Sequence, residues 1–359
     1  GGELYTAFKA GFPMEKVFFH GNNKSHEELR MALEYGVGII VVDNLYELEN
    51  LNALALQKGR KASVLFRLTP GVEAHTHSYT QTGQQDSKFG LGIQDGVARQ
   101  VISHALTLPG IEVKGVHCHI GSQIFDIEPY KLAVKIMFDF LEDLRQLNGF
   151  EVEILDMGGG LGIVYHEGDQ PATVESCVNL IGSAVKEEAQ NRNYPLPKLV
   201  LEPGRSLVGE AGVTLYNVGS IKEIPGIRSY LAVNGGMADN PRVALYQAEY
   251  EGMIANKANL HPDKLVTVTG KCCESGDMLI WDIHLAQPQS GDILAIFSTG
   301  AYNYSMASNY NRLPRPAMVS VINGQADLIV ARETYQDLLS LDRIPGRLQK
   351  LSAVSGNRF

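Results

Sequence analysis

The sequence predicts two domains of different class: a (β/α) barrel of the TIM type over residues 1–210, then an antiparallel β-domain over 211–359. Three observations predict it. Short β-branched runs alternate with helical stretches through the first two thirds of the chain. After about residue 211 the texture changes to alternating strands punctuated by Gly and Pro. The polar and glycine-rich clusters of the first half fall just after strand ends, the face on which a barrel gathers its functional loops.

Residues 17–21 read as a strand and turn, after which Ser25 caps a helix with Glu28 three residues on as its capping-box partner. A second buried strand at 38–43 leads into a helix over 45–57. A third strand follows at 62–68, and a fourth at 115–121 precedes a long helix over 129–147. A fifth at 152–157 ends in a glycine cluster, and a sixth spans 198–202. Apolar strands separated by helices mean a parallel sheet covered on its faces. Six such units favour a barrel over an open sheet, yet are two short of eight. The chain has no initiator methionine, and Gly1-Gly2-Glu3-Leu4 runs straight into a helix. Both features read as a chain cut at its N-terminus, with the first two barrel strands missing. In the second half, 213–218, 229–233, 265–269, 292–297 and 318–322 read as strands of the all-β domain.

Composition narrows the class of function. With 44% hydrophobic and 20% charged residues, the 359-residue chain has a soluble globular balance. A net charge of -9 argues against a nucleic-acid partner, which needs a basic footprint. No apolar run approaches the ~18 residues of a membrane helix, and no signal segment opens the chain. Cys118, Cys177, Cys272 and Cys273 lack metal-site spacing and read as reduced thiols, so a cytoplasmic protein is expected.

Four motifs carry chemistry. Gly158-Gly159-Gly160-Leu161-Gly162 follows a strand directly. It is either a tight strand-to-helix turn or a place where backbone N–H groups approach a phosphate. Glu202-Pro203-Gly204-Arg205 ends the sixth strand. Its two charges either pair at the surface, or Glu202 meets a protonated ring nitrogen while Arg205 binds an anion bidentately. His117-Cys118-His119 puts two histidines on one strand face; a third metal ligand is not apparent in the spacing, so a core or stacking role is expected and no metal. Of Cys272 and Cys273, one is packed, and the other is an acid or nucleophile if its pKa is tuned.

His119-Ile120-Gly121-Ser122-Gln123, the 158–162 glycine run, Glu202-Pro203-Gly204-Arg205, Cys273-Glu274-Ser275-Gly276-Asp277 and Gly300-Ala301-Tyr302 occur in this order along the chain. In that order they resemble the diaminopimelate decarboxylases, within the fold-type III, alanine-racemase-like group of pyridoxal-phosphate enzymes. The resemblance covers essentially the whole chain. It implies a (β/α)8 barrel followed by a β-domain, pyridoxal 5'-phosphate as cofactor, an amino-acid substrate, and a homodimer with shared active sites. It implies further that meso-2,6-diaminopimelate is decarboxylated to L-lysine, the final step of lysine biosynthesis.

Carried over by residue, the resemblance sets His119 against the cofactor ring and Glu202 on the pyridine nitrogen. Ser122, Gly159, Gly160, Gly204, Arg205 and Tyr302 surround the phosphate, and Cys273 is the acid that returns a proton after CO2 departs. The segment ending Pro241-Arg242-Val243-Ala244-Leu245-Tyr246 resembles the part of these enzymes that holds the distal amino-carboxylate. Arg205, Arg242, Tyr246, Glu274 and Tyr302 are thereby implied as substrate-binding residues. In ornithine decarboxylase, a relative of the group, a lysine at the position of Lys88 bridges to a partner aspartate at the position of Asp277, so the same bridge is expected here.

Two departures stand out. The family's cofactor lysine lies in a Tyr-x-x-Lys-Ala-Asn segment that this sequence does not contain; Tyr5-Thr6-Ala7-Phe8-Lys9-Ala10 is out of register with it, and Lys9 is expected to be a solvated helix charge. Asn311-Arg312-Leu313-Pro314-Arg315-Pro316 only approximates the family's arginine-proline segment. The alternatives are a related decarboxylase acting on carboxynorspermidine, arginine, ornithine or lysine, and a non-catalytic binding homologue that lacks the lysine.

Overall fold

The computed structural model describes residues 1–72 and 87–348, which divide into two compact units. Among the described residues, one comprises those within 1–164 and 168–207, the other 165–167 and 208–348.

The first unit is a parallel α/β sheet. Its elements run α1 (Gly2–Lys9), β1 (Phe18–Phe19), α2 (His26–Tyr35), β2 (Ile39–Val42), α3 (Leu45–Gln57), β3 (Ala62–Thr69) and β4 (Leu91–Gly92), then α4 (Val97–Ala105), β5 (Ile111–Cys118), α5 (Glu128–Asn148), β6 (Ile154–Asp156), α6 (Val174–Asn191), β7 (Lys198–Val200) and α7 (Gly204–Val208). The strand order is β1-β2-β3-β5-β6-β7, with β4 paired to β3, and every pairing is parallel. The predicted capping box at Ser25 is present: its hydroxyl accepts from the Glu28 N–H at 3.2 Å, and Glu28 Oε2 accepts from the Ser25 N–H at 2.8 Å. Lys9 is exposed in the last turn of α1, over the Tyr5 ring. No N-cap signal announces α4, which starts at a left-handed Gly96 without a side-chain cap.

Strand alternation sorts the side chains into two layers. Val42, Phe66, Val116, Cys118, Leu155 and Met157 face the helices and join the main core with Leu48, Leu51, Phe138 and Leu141. Ile39, Val41, Leu65 and their neighbours Phe18 and Ile154 form a small cluster on the opposite face. The next residue of like parity on each strand is polar: His20 after Phe18, Asp43 after Val41, Arg67 after Leu65, Asp156 after Ile154. The inner face therefore turns from apolar to ionisable at the C-terminal strand ends.

The second unit is mostly antiparallel: β8 (Thr214–Ile224), β9 (Arg228–Val233), α8 (Arg242–Tyr246), β10 (Gly252–Ile254), β11 (Lys264–Thr269), β12 (Met278–Leu285), β13 (Ile293–Ile296), β14 (Met318–Ile322), β15 (Gln325–Val330) and α9 (Tyr335–Leu339). Its six-stranded sheet runs β10-β13-β8-β9-β11-β12, and β14 pairs with β15 as a separate hairpin. One pairing departs from the predicted antiparallel pattern. β9 and β11 run parallel, which the crossover through α8 and β10 permits.

Candidate active site

In the first unit the inner-face residues meet at the strand ends. The register sets His117 beside Asp156 and Asp156 beside Val200, two residues before Glu202. His20 Nε2 lies 2.6 Å from Glu202 Oε1 and His117 Nε2 lies 3.5 Å from Glu202 Oε2. The two imidazoles meet edge to face at 4.8 Å. Burial works to raise the Glu202 pKa, but the hydrogen bonds of His117 and His20 hold it far below the usual carboxylate range. Burial pushes His117 down to about 4 and His119 down to about 3, so both are neutral near pH 7. Burial, followed by the Glu202 charge, raises Asp156. Glu202 is thus the ionised member of a mostly neutral cluster.

Donor atoms of His20, His117, Asp156 and Glu202 lie within 4.8 Å of one another. The partners of His117 come from three other strands, not from His119. The Arg67 guanidinium, itself half-buried beside the charges of Asp43 and Glu202, acts on both His117 and His119 and opposes a second cation there. His20, Arg67 and Asp156 were missed in the sequence. The parity of polar residues following each apolar strand would have found them.

The glycine run is crowded from within. A Cβ on Gly159 would lie 2.0 Å from the Glu202 carbonyl oxygen, and one on Gly160 would lie 2.3 Å from that of Gly121. Tyr130, buried at the start of α5, donates its hydroxyl to the Gly159 carbonyl at 2.7 Å. Gln123 clasps Ile163 through both amide atoms. These contacts bring 121–124 and 158–163 together and set Ser122 beside the sixth strand end, where Arg205 Nη2 donates to its hydroxyl at 2.8 Å. Arg205 is buried. The Gly204 N–H is spent on the Glu202 carbonyl, while its Cα faces open space. Thus His119, Ser122, Gly159, Gly160, Glu202, Gly204 and Arg205 all lie in this unit, at these converging strand ends. Lys24, also buried here, gives its Nζ to Gly21 O, Val41 O and Glu47 Oε1, so all three N–H donors are engaged structurally.

The second unit holds the remaining candidates. Arg242 is buried on α8; Nη1 donates to the Tyr250 hydroxyl at 2.5 Å, and the guanidinium covers the Tyr165 ring at 4.6 Å. Among the described residues no carboxylate lies within ion-pair distance of it. Tyr246 closes the same helix and is half-buried. Cys272 is buried and Cys273 exposed. The two lie in a turn that precedes β12. Asp277 shapes that turn by accepting the Cys272 N–H at 2.7 Å and the Met237 N–H at 2.6 Å. Burial raises the Cys272 thiol to about 11. Asp277 is only 3% exposed, and each of its oxygens accepts a backbone N–H. Glu274 is exposed beside Cys273, and Tyr302 is half-exposed in a left-handed conformation (φ 63°).

A family model described as the pyridoxal binding domain of pyridoxal-dependent decarboxylases matches residues 1–209. The diaminopimelate decarboxylase of Bacillus subtilis (strain 168) is 56% identical over 342 residues, covering 95% of this chain and 78% of that protein. That of Staphylococcus aureus (strain COL) is 46% identical over 95% of this chain and 79% of its own length. A solved diaminopimelate decarboxylase from M. jannaschii in co-complex with L-lysine is similar at a TM-score of 0.90 and 38% identity, covering 97% of this chain and 79% of that one.

Proposed function

This chain belongs to the diaminopimelate decarboxylase family of pyridoxal-dependent decarboxylases, and from that premise we propose that its residues remove CO2 from meso-2,6-diaminopimelate to leave L-lysine. The observation that carries the substrate is Arg242. A buried guanidinium held only by neutral hydroxyl and ring partners calls for an anion. Diaminopimelate has a carboxylate at each end, so one remains for Arg242 while the other leaves. Lysine and ornithine, as substrates, have none to spare.

The barrel residues fit pyridoxal phosphate. Glu202 is held ionised and offers full negative charge to a pyridinium N–H. Arg205 and Ser122 offer a cation and a hydroxyl for a phosphate, beside a turn whose Gly204 Cα is open. Gly159 and Gly160 let the 158–162 turn pack against the Glu202 and Gly121 carbonyls, and His119 supplies an imidazole face. When bound, the cofactor supplies the sink for the electron pair freed as the carbon–carboxylate bond breaks. Glu202 keeps the ring proton in place. Cys273 delivers a proton to the carbon that has lost CO2, and its exposure leaves the thiol free to reach a ligand. Arg205, Arg242, Tyr246 and Tyr302 orient the substrate, and Glu274 meets its distal ammonium.

The working unit in this reading is a homodimer in which Cys273 and Glu274 of one copy complete the barrel site of the other. A cytoplasmic location accords with four free thiols; no helix of the described residues is long and apolar enough to cross a membrane. The test is substrate turnover by the full-length protein with pyridoxal phosphate. It should release CO2 from meso-diaminopimelate with stoichiometric L-lysine, and act far more slowly on L-ornithine and L-lysine. Equal turnover of ornithine would overturn the substrate.

A further inference from the structure

Asp156 is fully buried at the end of β6. Its Oδ1 accepts the Gly158 N–H at 2.9 Å, while Oδ2 has no hydrogen-bond partner among the described residues. The side chains around it are Glu202, His117 and His20. The backbone closes the same circuit, because the Glu202 N–H donates to the Gly158 carbonyl at 2.8 Å. An ionised Asp156 would be a second buried anion beside Glu202, with one backbone donor and no ion-pair partner, a costly arrangement. A neutral Asp156 has an O–H, and the ionised Glu202 is the acceptor beside it. Glu202 is the one that stays charged because both its oxygens face imidazole nitrogens.

Resting on the reading that Glu202 meets the cofactor's ring nitrogen, we propose that Asp156 is a positioning residue: it keeps its proton, directs it to Glu202, and ties that carboxylate to the glycine turn. Two ends of the cofactor site are thereby set by one buried acid. Burial and the neighbouring Glu202 charge both raise the Asp156 pKa, in the same direction.

An amide reproduces both contacts of a neutral carboxyl, since its N–H donates and its oxygen accepts. The experiment compares Asp156→Asn, Asp156→Leu and Glu202→Gln in the full-length protein. It reads pyridoxal-phosphate affinity by titration and ring-nitrogen protonation by the absorption of the bound cofactor. Asp156→Asn should keep the affinity within about threefold and leave the absorption unchanged, while Asp156→Leu should weaken binding about tenfold or more and shift the absorption. Failure of Asp156→Asn to fold or to bind, or a Leu variant indistinguishable from the unsubstituted protein, would overturn the proposal. Glu202→Gln separates the two layers. If it changes neither affinity nor absorption, the role of Glu202 falls; if it changes both while the Asp156 variants behave otherwise than stated, only the present inference falls.

Discussion

Arg242 Nη1 donates to the Tyr250 hydroxyl at 2.5 Å, and both residues are buried. Tyr250 in turn lies 3.4 Å from Asn303 through its hydroxyl and meets the Tyr165 ring edge to face. The guanidinium is therefore fixed by groups that satisfy its geometry without neutralising its charge.

That arrangement makes a prediction about which ligands notice Arg242. L-Lysine keeps the carboxylate that the reaction leaves behind, and 1,5-diaminopentane has none. Arg242→Gln should raise KM for diaminopimelate and weaken inhibition by L-lysine by about tenfold or more, from the loss of a charge-assisted contact. Binding of 1,5-diaminopentane should barely change. Tyr250→Phe should show a weaker version of the same pattern, with KM rising more than kcat falls. Inhibition assays with the two compounds check it, and equal losses for both would point to general disruption.

Thiol chemistry tests the turn at 272–277. Cys118, Cys177 and Cys272 are buried, and burial pushes Cys177 and Cys272 up to about 11. Cys273 alone of the four is exposed. One thiol per chain should react quickly with a water-soluble disulfide reagent at pH 8, and Cys273→Ala should remove that phase. Cys272→Ala should leave it. Two fast thiols in the folded protein would contradict the turn.

Acid stability follows from His117. Its folded pKa of about 4 lies below the ordinary 6.5, so the unfolded chain takes up its proton first on acidification. Stability should therefore be complete above pH 6.5 and fall as pH drops toward 4, by up to roughly 3 kcal/mol from this buried group. His117→Asn, neutral throughout, should flatten the slope between pH 6.5 and 4. Urea unfolding at a series of pH values measures it.

These residues also mark what could be read from the sequence. Both architectures were legible because β-branched runs and their spacing report burial directly. Glu202, Arg205, Ser122 and the glycine run were legible because each sits in a motif contiguous in sequence. His20, Arg67 and Asp156 were not, since each is a single polar residue that joins the cluster only through sheet register. Tyr165 and Tyr250 lie far apart in sequence and look like ordinary aromatics until they meet Arg242. Asp277 shows the complementary case: a motif supplies an acidic residue, but only packing shows that it also ties the Cys272 and Met237 backbone together.

The shared-site reading can be tested by mixing two inactive proteins. Glu202→Ala disables a residue of the barrel unit, and Cys273→Ala disables one of the β unit. If each site takes its barrel residues from one copy and Cys273 from the other, a mixed dimer has one site with both defects and one with neither. When subunits re-form at random from equal amounts, half the dimers are mixed, and half of their sites are intact, so about a quarter of the unsubstituted activity should return. If each copy instead builds its own site, a mixed dimer carries one defect in each, and nothing returns. The two outcomes differ by a whole active site per mixed dimer, so a small loss of stability in either variant does not blur them. Subunit exchange is followed in parallel with a size-tagged copy of one variant. Exchange without recovery would assign Cys273 to the barrel of its own chain.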